Sequence, residues 1–140
     1  MKIVIDTNIL VSFCLKNEYA QKILQIIPGQ NIRVFADERL LHEYGLILSR
    51  DKLKLEPDKV KSVKEFINSS ICKSIIKVDQ VKFNPDRQDS KLIEIANNEG
   101  CDYIVTDDKQ LLANSAHLTY AKTVSAEDFI KILGTHLSTN

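Results

Sequence analysis

Five acidic residues stand where they could meet and do chemistry together. Asp6 directly follows the apolar run Lys2 to Ile5, and the adjacent pair Asp107 and Asp108 follows Tyr103 to Thr106. Asp89 opens a helical stretch whose apolar side holds Leu92, Ile93 and Ala96, and its spacing of three and four from the first two puts it on that side. Glu43 borders the stripe formed by Leu40, Leu41, Tyr44, Ile47 and Leu48. Carboxylates gathered at one place repel unless a cation neutralises them, and oxygen donors without His or Cys select hard divalent ions such as magnesium or manganese. Two such ions about 3.5 to 4 Å apart are the usual device for in-line phosphodiester hydrolysis. A plainer role remains open for each residue taken singly, since Asp at a strand-to-helix junction caps the helix and a glutamate at the edge of an apolar stripe is usually solvated. Capping, however, gives no reason for two caps to converge at one sheet edge.

The elements that would position these acids follow from pattern. Lys2 to Ile5 reads as a buried strand, and Thr7 or Asn8 can cap a helix beginning in Ile9 to Leu15. A second helix, Ala20 to Ile27, stops at Pro28 and Gly29; Ile32 to Ala36 is the next strand; Asp37 caps a helix through Arg50. Pro57 opens another helix carrying Val60, Val63, Ile67 and Ile71, with a third strand expected at Ile75 to Val78. After the polar turn Asn84 to Gln88 come a helix Asp89 to Asn98 ended by Gly100, a strand Cys101 to Thr106 and a short helix Lys109 to Ala113. A strand near Thr119 to Val124, Ser125 as cap and a helix Ala126 to Leu133 complete the series. Strands alternating with helices imply an α/β fold, a mainly parallel sheet covered on both faces, and in such sheets ligands gather beyond the carboxyl ends of the strands. That is where Asp6 and the Asp107–Asp108 pair fall.

Composition bounds the rest. The 140 residues carry 19 Lys plus Arg and 19 Asp plus Glu, with 44% hydrophobic and 27% charged residues and only 4 Gly and 3 Pro. A chain of this length buries roughly 68 to 70% of its unfolded surface, enough for one core. With no linker or repeat, residues 1–133 read as one domain and 134–140 as a polar tail. No apolar run approaches the roughly 18 to 20 residues of a membrane span, Met1 to Asp6 is too short and too soon charged for a secretory signal, and the expected location is the cytoplasm. Cys14, Cys72 and Cys101 are odd in number and set in apolar sequence, as suits reduced, packed thiols. Zero net charge excludes a broad basic surface, so any nucleic-acid contact must be local. One local surplus exists: between Arg50 and Lys82 nine Lys or Arg stand against five Asp or Glu, either a solvated helix face or a strip that guides a phosphate backbone. His42, His117 and His136 have no catalytic spacing and read as surface or partly buried residues.

Beyond these physical readings, the segment Ile3 to Leu10 (I-V-I-D-T-N-I-L) resembles the opening motif of PIN-domain ribonucleases, in which a strand ends in a metal-binding aspartate followed by Thr and Asn. Leu41, His42, Glu43, Tyr44, continued by Leu48, Ser49 and Arg50, is similar to the second motif with its helix glutamate. Asp86, Arg87, Gln88, Asp89 and then Leu92 to Ala96 resemble the third, whose second aspartate is the site residue. Tyr103 to Leu112 (Y-I-V-T-D-D-K-Q-L-L) resembles the fourth. The likeness is collinear over residues 1 to about 133. It implies a three-layer α/β/α sandwich and a magnesium- or manganese-dependent endoribonuclease, often the toxin of a type II toxin–antitoxin pair. It further implies Asp6, Glu43, Asp89 and Asp108 as catalytic metal ligands, supported by Asn8 and Thr106. The position before Asp108, commonly Gly in that motif, is Asp107 here, so either acid could face the metal; Asp86 is a further candidate at the polar turn. RNA as substrate, a protein antitoxin laid across the acidic groove and a homodimer are the implied partners. Phe13, Leu15 and Ile23 could serve such a dimer or the core, and core is expected for at least two of them.

Two other classes compete. A PIN-like module that binds RNA or protein without turnover would keep the shape, and the presence of all four acids argues against it. A receiver-like phosphoacceptor domain wants two adjacent acids after the first strand, whereas here the pair follows a late strand and Asp6 stands alone.

Overall fold

The computed structural model describes residues 1–75, 90–113 and 117–138. Strands β1 (Lys2–Ile5), β2 (Arg33–Ala36), β3 (Ile71–Lys73), β4 (Tyr103–Val105) and β5 (Lys122–Val124) form one parallel sheet in the order β3-β2-β1-β4-β5. β1 lies at its centre, with Ile3, Val4 and Ile5 almost wholly enclosed. Such burial on both faces is why this strand reads as a continuous apolar run instead of an alternating one.

Among the described residues the helices are α1 (Thr7–Cys14), α2 (Glu18–Ile26), α3 (Glu38–Leu48), α4 (Pro57–Ser70), α5 (Ser90–Glu99), α6 (Lys109–Ala113) and α7 (Ala126–Ser138). α1 packs on α2, α3 and α4, α2 also meets α7, and α5 lies on β1, β2 and β4. The chain winds outward from β1 to β3, then returns to β4 and winds the other way to β5. With right-handed crossovers that reversal puts helices on both faces, giving the three-layer α/β/α arrangement the sequence leads one to expect. It also makes the β1–β4 boundary the topological switch point, the place where an open parallel sheet leaves a crevice.

Several element ends follow the expected chemistry. Asp37 caps α3, accepting from the Leu40 amide at 3.0 Å, Pro57 sits in the first turn of α4, and Gly100 takes a φ of +64° just after α5. Others are corrected. The cap of α1 is Asp6 and not Thr7 or Asn8, and its side chain makes no capping bond. Asn17 caps α2 through the Ala20 amide. α3 ends at Leu48, short of Arg50, and β5 begins at Lys122 instead of near Thr119. The third strand is Ile71–Lys73: Ile71, expected on the helix, pairs with Val34 of β2. Ile75 lies outside any strand, and the remainder of the expected Ile75 to Val78 strand lies outside the described residues. α7 continues past Leu133 to Ser138, where a tail was expected.

Phe13 and Ile23 are core and Leu15 is 62% exposed, so two of the three residues weighed between dimer and core are core. Cys14, Cys72 and Cys101 are free thiols; Cys14 and Cys101 are packed as expected, whereas Cys72 is only half-buried. No helix among the described residues is long and apolar enough to cross a membrane.

Candidate metal centre at the carboxyl edge

Strand register builds the site. Ile5 pairs with Val105, and the ladder is extended by the Asp6 amide donating to the Val105 carbonyl at 2.9 Å. The residues that follow the two strands are therefore neighbours, and the fully buried Thr106 donates its hydroxyl to Asp6 Oδ2 at 2.7 Å. The same Thr106 oxygen accepts from the Asp108 amide at 3.0 Å. One buried hydroxyl thus fixes both the carboxylate after β1 and the backbone carrying the acid after β4.

Asp108 and Asp107 are separated by this geometry. Asp107 is exposed and turns to α7, its Oδ1 accepting from the Ala126 amide at 3.0 Å. Its own amide donates to Asn8 Oδ1 at 3.4 Å, which places the Asn8 side chain as a brace between the start of α1 and the loop after β4. Asp108 is half-buried and accepts from the Gln110 amide at 2.9 Å. It is Asp108, along with Glu43, that acts electrostatically on Asp6.

Glu43 reaches the edge from α3, whose buried side is held by Leu40, Tyr44 and Leu48. The Tyr44 hydroxyl donates to the Ile5 carbonyl, which pins α3 to the end of β1. Glu43 Oε2 accepts from the Thr7 hydroxyl, and its Oε1 pairs with Lys91 Nζ of α5 at 2.8 Å. Beside it, Arg39 bridges Asp37 and Glu94, each at 2.7 Å, so α3 and α5 are joined twice.

The electrostatics agree with crowded acids. Burial, more than anything else, pushes the Asp6 carboxyl above its ordinary range; the Thr106 hydroxyl opposes this, and the charges of Glu43 and then Asp108 add to it. Tyr44, wholly enclosed, is raised well above its usual value by burial and then by Asp6, Glu43 and Asp37. The structure thus brings Asp6, Glu43 and Asp108 to one edge, with Thr106 and Asn8 beneath and beside them. Asp89 and Asp86 lie outside the described residues.

The donor set fits a hard divalent ion: it is carboxylate oxygen only, and a cation would relieve the repulsion that raises Asp6. The ligand geometry is not closed as it stands. Among the described residues no three His, Cys, Asp or Glu side chains are grouped as an ion would require, and Glu43 has both oxygens engaged by Thr7 and Lys91. Thr7 and Lys91 were missed in the sequence. Thr7 reads there as a helix cap and nothing singles out Lys91; neither pairing is local, so no spacing reveals it.

Arg50, Lys52, Lys54, Lys61 and Lys64 are exposed, while Lys59 sits 5.2 Å from the Phe13 ring centre and Lys73 pairs with Glu38 at 2.8 Å. Lys77 and Lys82 lie outside the described residues. His42 and His117 are exposed.

Comparison with known proteins places this architecture. A family model described as PIN domain matches residues 2–110. Among solved structures, VapBC2 from Rickettsia felis, bound to a DNA fragment from its promoter, is similar in fold, with a TM-score of 0.60, 14% identity, and coverage of 89% of this chain and 98% of that one. PAE2754 from Pyrobaculum aerophilum is similar with a TM-score of 0.62, 17% identity and 96% of each chain covered. No curated protein matches in sequence.

Proposed function

The chain belongs to the PIN domain family, and from that premise we propose that it is a metal-dependent endoribonuclease acting as the toxin of a toxin–antitoxin pair. The observation that carries the reading is the convergence of Asp6, Glu43 and Asp108 at the switch point, with Asp6 raised by burial and by the other two acids. Asp6 and Asp108 are the proposed ligands presented from the sheet and Glu43 the one presented from α3; Asp89, which lies outside the described residues, is carried as a fourth ligand on the family resemblance alone. Magnesium or manganese bound there supplies Lewis acidity toward a phosphodiester. The chain's own part is to hold and orient: Thr106 fixes the Asp6 carboxylate and the Asp108 backbone, and Asn8 braces the loop that carries Asp107 and Asp108. Asp107, committed to the amide of Ala126, supports the loop and leaves Asp108 as the ligand.

RNA is the proposed substrate, approaching along the exposed cations between Arg50 and Lys64. The likeness in fold to VapBC2 supports a protein antitoxin as partner, with a homodimer as the assembly, the cytoplasm as the setting and residues 1–133 as the nuclease unit. A second reading, a PIN-like module that binds RNA or protein without turnover, draws on the unclosed ligand geometry among the described residues.

Cleavage of a mixed RNA pool by the purified protein with manganese or magnesium, beside EDTA and Asp6→Asn controls, tests the proposal. Cutting that needs the metal and is lost in the variant supports it. RNA retained but never cut favours the silent module.

A further inference from the structure

A lysine of the chain itself is set against the clustered acids. Lys91 Nζ lies 2.8 Å from Glu43 Oε1, with the two side chains only 16% and 32% exposed. The other lysine–carboxylate pairs are surface contacts: Lys16–Glu56 is 61% and 55% exposed, and Lys73–Glu38 is 55% and 81%. A shielded ion pair feels a lower effective dielectric than those do, so the Lys91 charge counts for more. It also sits on the acid whose other oxygen is taken by Thr7, in a cluster where burial first, and then the charges of Glu43 and Asp108, raise the Asp6 carboxyl.

We propose that Lys91 is a built-in counter-cation of the acid cluster and competes with the divalent ion for Glu43. In the metal-free protein the ammonium neutralises part of the cluster and keeps Glu43 in place beside Asp6 and Asp108. Loading the ion brings a second cation to the same carboxylate, so each weakens the other's hold by their mutual repulsion, and the coupling is reciprocal. Lys91 thereby sets the concentration of free divalent ion at which the site fills. It is a positioning residue, acting through Glu43 and not on substrate, and the inference rests on the metal-dependent reading above.

The test is calorimetric titration of the full chain, stripped with EDTA, with manganese alone. Lys91→Gln should bind manganese more tightly than wild type, on the order of tenfold for one charge removed beside the ion, while Lys91→Arg should stay close to wild type. Without metal, Lys91→Gln should melt below wild type, and manganese should close the gap. Lys91→Met, which keeps the aliphatic stem packed, takes its place should the Gln variant not fold. Manganese binding that is unchanged or weaker in Lys91→Gln and Lys91→Met, yet abolished by Asp6→Asn, overturns the competition and leaves the metal site standing. No manganese bound by wild type, Lys91→Gln or Lys91→Met overturns both.

Discussion

Asp6→Asn takes one negative charge from a place where burial, Glu43 and Asp108 already disfavour it, so the metal-free variant should melt at the wild-type temperature or up to about 4 °C higher. Cleavage should be lost. A much lower melting temperature would instead mark Asp6 as structural. The raised carboxyl also fixes a pH dependence. The folded protein holds the Asp6 proton more tightly than the unfolded chain does, so this residue's contribution to stability is present below its ordinary value of 3.8 and is lost as pH rises through its raised one. Proton and divalent ion compete for the same oxygens, so manganese affinity should fall as pH is lowered through that range. Thr106→Val is the sharper residue-scale test of orientation. It removes the donor to Asp6 and the acceptor of the Asp108 amide inside a buried site, which should cost about 1–3 kcal/mol in denaturant unfolding and most of the cleavage. Thr106→Ser, which keeps the hydroxyl, should recover both.

Elements decide whether the acids meet at all. β1 and β4 were legible because a short apolar run followed at once by an acid has few other readings, and Asp37, Pro57 and Gly100 mark helix ends by local rules that hold here. β3 was not, since Ile67 and Ile71 keep the helical spacing and no Gly or Pro interrupts them. The helix passes straight into a strand because Ile71 finds Val34 across the sheet, a pairing that periodicity within one segment cannot register. The site divides the same way. Asp6, Asp108 and Glu43 were legible as residues lying just after strands or at the border of a helix stripe, whereas Thr106, read as the end of a strand, stood out only through the family resemblance. The choice between Asp107 and Asp108 needed the Ala126 amide, and Lys91 needed α5 packed against α3. At this scale Tyr44→Phe is the informative change: it deletes the hydroxyl that ties α3 to the Ile5 carbonyl and should lower stability by about 1–2 kcal/mol. Because Glu43 precedes Tyr44 on the helix, weaker manganese binding should accompany that loss.

The described molecule is a central sheet with an acidic carboxyl edge and an apolar interior. β1 supplies both the most enclosed strand and, one residue later, the first acid, so the fold's best-packed part is what holds the site still. The thiols report on that interior. Cys101 is fully enclosed and its thiol is pushed up to about 12, first by burial and then by Glu99; burial also raises Cys14. Both should resist iodoacetamide at about pH 8 while the protein is folded and react once it is unfolded, a contrast that mass spectrometry reads directly. The measurement that bears most directly on the metal centre is anomalous diffraction from crystals soaked in manganese. A peak between Asp6 and Asp108, within about 2.0–2.3 Å of an oxygen of each and absent in Asp6→Asn, is the expected result. No peak at that edge under saturating manganese, or one held by other residues, would contradict a metal-dependent nuclease built on these acids.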